Sequence, residues 1–190
     1  MELNEQQKQN RSKKMMVWFG MISMAMTFAG LTSAYVVSST RADWLSNFEL
    51  PQVFTYSTMV ILLSSASFYW AKKQLQQRRL GPFKQGLFLT LALTIGFVVL
   101  QFQGFNQIIA SGYYFTGAES SITTSFLYVL VLLHLAHVFA GLIVLTVVLI
   151  RASLNKYSPV QTLGVELAEL FWHFLDFLWL YLYLFVRFYE

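Results

Sequence analysis

The 190-residue chain has no cysteine, which excludes disulfides, thiolate metal sites and cysteine nucleophiles. Charge is scarce as well. Only 12% of residues are Asp, Glu, Lys or Arg, against about 25% in soluble domains. In their place, 56% of residues are hydrophobic and the mean hydropathy is +0.54. That balance excludes an ordinary water-soluble domain and predicts an integral membrane protein. Prolines number three, and histidines also three. No glycine-rich phosphate loop and no Ser/His/Asp arrangement is visible. The net charge of +4 is modest and its bases gather in loops, so no nucleic-acid partner is expected.

What is present is a series of long apolar runs. They predict an all-α fold: a polytopic transmembrane bundle of five helices in a single membrane domain, residues 1–190. Residues 1–14 form a polar tail, and the spans fall at about 15–38, 52–71, 85–105, 123–150 and 164–188. The first apolar run is too long for the core of a signal peptide and reads as a retained span. Gly20, Ser23, Thr27, Gly30 and Ala34 recur along it at three and four, a stripe expected to let a neighbouring helix approach closely. Pro51 opens the second span, and its hydroxyls (Ser57, Thr58, Ser64, Ser65, Ser67) read as interhelical hydrogen bonders rather than a substrate path. The intervening loops carry few acids: Asp43 and Glu49 in the first, Glu119 in the third.

Most bases lie on one side. Lys8, Arg11, Lys13 and Lys14 are in the tail, Lys72, Lys73, Arg78, Arg79 and Lys84 in the second loop, Arg151 and Lys156 in the fourth. The opposite side holds Arg41 and Arg187. The excess of Lys and Arg in cytoplasmic loops places the N-terminus in the cytoplasm, or on the equivalent negative side of an organelle.

The last span carries the groups that are costly in hydrocarbon. Glu166, Glu169, His173 and Asp176 step by three, four and three. At about 100° per residue they occupy an arc of roughly 80°, and the other faces are Leu, Phe, Trp and Tyr. Ionisable groups at membrane depth face protein or water and are functional candidates. This seam could be a proton relay, a lipid-headgroup pocket or a structural network. On the fourth span His134, His137 and Gly141 share one face. The imidazoles could be buried groups hydrogen-bonded across a helix interface, or ligands. A small membrane b-type cytochrome, with His134 or His137 and His173 as axial ligands, is the alternative reading, and an optical spectrum separates the two. A di-iron carboxylate bundle needs glutamates from several helices, whereas one helix here supplies them. A secondary transporter would show inverted repeats, and the sequence has none.

Three stretches resemble one family. The run Glu166-x6-His173-Phe174-Leu175-Asp176-Phe177-Leu178-Trp179-Leu180-x-Leu-Tyr183 is similar to the last helix of cytochrome c oxidase subunit III. His134-Leu-Ala-His137-Val-x-x-Gly141 resembles that family's His-Gly-x-His-Val-x-x-Gly motif, and Phe28-Ala29-Gly30-Leu31-x-x-Ala34-Tyr35 its Phe-Ala-Gly-Leu-x-x-Ala-Tyr segment. Leu62-Leu63-Ser64-Ser65 and Leu100-Gln101 fit as well. Full-length members have seven spans, so the chain resembles the shorter bacterial form without the first two. Where the family often has Ser-Glu, Ser23 is followed by Met24, so a proton-antenna role for that carboxylate does not transfer.

The resemblance implies an accessory core subunit of a proton-pumping haem–copper terminal oxidase. It would stabilise subunit I, support proton uptake and bind membrane phospholipids in the bacterial inner membrane, within the oxidase or a larger respiratory supercomplex. It implies no cofactor and no metal in this chain, with haem and copper in partner subunits. Catalytic residues are expected to be none. The candidates for structural, lipid-binding or proton-collecting roles are His134, His137, Glu166, Glu169, His173 and Asp176.

Overall fold

The computed structural model describes residues 5–41, 44–45, 50–115, 121–155, 157 and 162–189. Asp43, Glu49 and Glu119 lie outside the described residues, as do Lys156 and Pro159. The fold is all-α. Five helices follow one another: α1 Glu5–Ser38, α2 Val53–Gln76, α3 Leu80–Ala110, α4 Ile122–Ser153 and α5 Leu163–Tyr189. Each is long and apolar enough to cross a membrane. Helix α1 begins ten residues before the apolar run, so the polar segment ending at Lys14 continues it as a helical extension.

The helix ends follow from local chemistry. After α2, Arg78 N–H donates to the Leu75 carbonyl and Arg79 N–H to that of Gln74. Arg78 takes the left-handed conformation, with φ 62°. This is a Schellman ending whose pivotal residue is usually glycine, and it turns the chain straight into α3. The α3 end repeats the pattern with the usual residue, Gly112 at φ 85°. Helix α4 starts at Ser121, whose hydroxyl accepts from Thr124 N–H at 3.1 Å.

Helices α2 and α3 form the tightest pair, and their sequences show why. The residues α2 buries include Phe54, Ser57, Ile61, Ser64, Phe68, Ala71 and Leu75; those of α3 include Phe83, Leu87, Thr90, Thr94, Phe97, Gln101, Gly104 and Ile108. Both series alternate steps of three and four, the seven-residue repeat that keeps two helices in contact over their length. Close approach rests on two glycines. A Cβ at Gly86 would lie 2.7 Å from Ala71 Cβ, and one at Gly104 2.7 Å from the Phe54 ring.

Helix α5 is covered by α2 on one side, and by α4 and α1 elsewhere. At the α4 crossing, Gly141 sits against Leu175 and Trp172, with a virtual Cβ only 3.0 and 3.2 Å from their atoms. Helix α1 lies against α4 and α5 by Met21, Phe28, Thr32 and Tyr35. Phe28 meets the rings of His134 and His137 edge-on, and Tyr35 is ringed by Trp44, Phe126, Phe185 and Tyr189.

The small-residue stripe expected to mediate close packing does not do so within this chain. Gly20, Ser23, Thr27, Gly30 and Ala34 are all exposed, and a Cβ at Gly20 or Gly30 would meet nothing within 4 Å. Aromatic insertion, not backbone approach, attaches α1. A large side chain entering the groove between two helices gains more dispersion contact than a small one at its rim.

Candidate functional site

The polar seam of α5 is covered, and α2 supplies most of the cover. The two helices run antiparallel and are joined by a ladder of side-chain bonds. Thr55 Oγ1 meets Tyr183 OH at 2.8 Å. Trp179 Nε1 donates to Thr58 Oγ1 at 2.9 Å, and Trp172 Nε1 to Ser64 Oγ at 3.2 Å. Ser65 Oγ lies 2.5 Å from His173 Nδ1. Lys72 Nζ donates to Glu169 Oε2. Thr58, Ser65 and Lys72 are seven residues apart, so one stripe of α2 faces α5 throughout. Its other polar stripe serves α3: Gln101 Nε2 donates to Ser57 at 2.8 Å, Ser64 meets Thr94 at 3.2 Å, and Ser67 donates to the Gly86 carbonyl at 3.0 Å. All five hydroxyls singled out in α2 therefore bridge helices.

The seam is graded from water to core. Glu166 is only half-buried. It accepts from Thr162 Oγ1 at 2.6 Å and lies 3.4 Å from Lys14 Nζ on the polar extension of α1. One turn deeper, the Glu169 side chain is 7% exposed and holds Lys72. Its second oxygen is 3.8 Å from His173 Nε2. Deepest is Asp176, 4% exposed. Asp176 Oδ2 has no hydrogen-bond partner among the described residues. Beside the outer part is a cavity of about 330 Å³ lined by Lys14, Trp18, Lys72, Glu166, Glu169 and His173.

This arrangement fits the cost of charge in a low dielectric. A carboxylate moved from water needs an opposite charge and hydrogen bonds to offset its lost hydration. Glu166 and Glu169 each have a lysine. Both lysines come from helix ends that reach beyond the apolar core, so their ammonium groups stay near water.

The three histidines occupy separate environments. His173 turns to α2. His137 donates from Nδ1 to the Leu133 carbonyl at 2.8 Å and packs on Phe28. His134 is fully buried among Phe28, Phe97 and Trp179, and neither ring nitrogen has a partner among the described residues. Glu166 and His173 thus pair to α1 and α2 rather than to the α4 imidazoles. Among the described residues no group of three His, Asp or Glu side chains is placed to share a metal ion. From the sequence alone Lys14 and Lys72 mark topology and Ser65 reads as a generic bridge. The seven-residue spacing of Thr58, Ser65 and Lys72 was the available signal that all three face one partner.

Comparison with known proteins agrees with the geometry. Residues 9–190 match the family model described as Cytochrome c oxidase subunit III. A cytochrome c oxidase subunit 3 of Spodoptera frugiperda is 32% identical over 136 residues, covering 70% of this chain and 86% of that protein. The subunit of the same name from Drosophila yakuba is 35% identical over 133 residues, covering 70% of this chain and 48% of its own length. A cytochrome bo(3) ubiquinol oxidase subunit 3 of Pseudomonas putida is 28% identical over 166 residues, covering 86% of this chain and 79% of the relative. The chain therefore spans about half the length of its longer insect relative and most of the other two. A match over nearly the whole of a five-helix membrane chain makes the assignment plain: this protein belongs to the cytochrome c oxidase subunit III family.

Proposed function

We propose that the chain is the accessory subunit III of a proton-pumping haem–copper terminal oxidase in an aerobic respiratory chain. In this reading haem and copper reside in partner subunits, and this chain packs against subunit I, stabilises it during turnover and supports proton uptake on the negative side of the membrane. The single observation that carries the reading is the α5 seam. Four ionisable groups on one helix edge face sister helices, with Glu169 and Asp176 buried and Glu166 and His173 part-exposed, in a chain whose family works as part of oxidases. The distribution of lysine and arginine supports an N-terminus on the cytoplasmic side of a bacterial plasma membrane. The cavity with Lys14, Lys72, Glu166 and Glu169 offers both signs of charge at the end of the bundle where phospholipid headgroups lie, which supports lipid binding there.

Mild-detergent purification through a tag on this chain tests the reading. Subunits bearing haem and copper should co-purify. Oxidase prepared without the chain should lose activity over successive turnovers and take up protons more slowly. An oxidase with unchanged stability and proton uptake would refute the proposed role, and a tag that recovers no haem-bearing chain would refute the assignment to an oxidase.

A further inference from the structure

We propose that the cavity bounded by Lys14, Trp18, Glu166 and His173 is a head-group site for a phospholipid carrying a primary ammonium, an ethanolamine in preference to a choline or glycerol head group. This deepens the lipid-binding part of the reading above and rests on it, while the choice of head group comes from this chain's own side chains.

The first support is position. Lys14 directly precedes the apolar run of α1, Lys72 follows Tyr69 and Trp70 at the end of the apolar run of α2, and Glu166 lies in the first turn of α5. Three helices thus bring charged ends to one level, and the exposed Trp18 lies one turn further along α1. Tryptophan concentrates at the boundary between hydrocarbon and head groups. The cavity there holds about 330 Å³, and Leu167 and Leu170 line it beside the charged groups. A polar head among the charges would leave its acyl chains against apolar side chains.

The second support is unused bonding capacity. The floor is closed, because Lys72 donates to Glu169, whose side chain is 7% exposed. The outer groups are not saturated. Lys14 Nζ lies 3.4 Å from Glu166 Oε2, longer than a charge-assisted hydrogen bond, and an ammonium has three N–H donors. Glu166 Oε1 accepts from Thr162, which leaves Oε2 with that loose contact. His173 is anchored through Nδ1 by Ser65, and its Nε2 is 3.8 Å from Glu169 Oε1, outside hydrogen-bond reach. With the Ser65 hydroxyl donating to Nδ1, Nε2 carries the ring proton and is a donor.

The third support is the match of charges. A phosphodiester monoanion accepts from Lys14 and His173, and a primary ammonium donates to Glu166 Oε2. One loose ion pair is exchanged for two close ones. The lining holds two lysines and two glutamates beside a neutral imidazole, so a zwitterion adds no net charge. A choline head group has no N–H to offer Glu166. A glycerol head group brings the phosphate without the ammonium and sets an anion beside Glu166 with nothing to offset it. Discrimination follows from the groups left unpaired with the wrong head.

The test uses the full chain, stripped of lipid in detergent, and reads lipid adducts by native mass spectrometry. The probes are dioleoyl phosphatidylethanolamine, its N-methyl and N,N-dimethyl derivatives, phosphatidylcholine and phosphatidylglycerol. Affinity should fall along the methyl series, with ethanolamine on the order of 10-fold above choline, the scale of one hydrogen bond to a charged group. Glu166→Gln should flatten the series, and Lys14→Met should weaken every zwitterionic lipid while keeping the order. A flat series on the unmodified chain, a preference for phosphatidylglycerol, or an unchanged order in E166Q would overturn the assignment. The methyl series needs no substitution, so a variant that fails to fold does not remove the test. Soluble glycerophosphoethanolamine should compete poorly; competition as strong as the lipid's would make the ligand a free head group and overturn the phospholipid. Lipid retained with a flat series would sink this inference alone, whereas no retained lipid of any kind would sink the lipid-binding reading with it.

Discussion

Replacing Lys72 by methionine tests the covered-seam argument most directly. The substitution keeps most of the aliphatic stem and removes the ammonium group. The Glu169 side chain is 7% exposed and that of Lys72 26% exposed, so the pair lies between two measured regimes. Exposed pairs contribute about 0–1 kcal/mol, and breaking a buried pair costs about 3–5 kcal/mol because a charge is left unpaired. With one partner a quarter exposed, K72M should destabilise the folded bundle by about 2–3 kcal/mol. At about 1.4 kcal/mol per decade, that is on the order of 30- to 140-fold in the folding equilibrium.

The opposite truncation should be milder. In E169Q the stranded group is an ammonium that can swing to water on a flexible stem, so the loss should be about 1 kcal/mol or less. The double variant should recover most of the K72M loss, because it removes the stranded carboxylate. The assay is reversible unfolding in mixed micelles, read by helical circular dichroism, for the four proteins of the cycle. Equal costs for K72M and E169Q, or a K72M cost below about 1 kcal/mol, would show that Glu169 is solvated and the seam is not enclosed.

Three further outcomes are expected. Gly86→Ala should destabilise by about 1–3 kcal/mol because its Cβ meets Ala71 at 2.7 Å, while Gly30→Ala, with open space around it, should be neutral or slightly stabilising; the same unfolding assay reads both. Arg78→Gly should stabilise by about 1 kcal/mol by relieving a left-handed backbone at φ 62°, seen as a raised midpoint. Since the chain has no cysteine, Ser12→Cys and Ser111→Cys report sidedness cleanly: in intact cells an impermeant thiol reagent should label Cys at 111 and not at 12, and the reverse pattern would invert the proposed orientation.

The sequence by itself determined the number of helices, the apolar runs that carry them and the edge of α5 on which Glu166, Glu169, His173 and Asp176 lie. These are properties of one helix at a time, set by composition and by the 3.6-residue period. The bridging role of the α2 hydroxyls was legible for the same reason, since a polar group in an apolar span must find a partner. Which partner it finds depends on the rotation and axial offset of two helices, and no single-helix pattern encodes either.

Tertiary packing decided those quantities. Gly86 and Gly104 let α3 close on α2, and Gly141 lets α4 close on α5. The resulting register sets Ser65 against His173 and Lys72 against Glu169. The same packing turned the α1 stripe of Gly20, Ser23, Thr27, Gly30 and Ala34 outward. In a membrane, small and large apolar residues are equally compatible with an outward face. Periodicity therefore located the stripe but not its direction, and the fit of Phe28 and Tyr35 between α4 and α5 settled it.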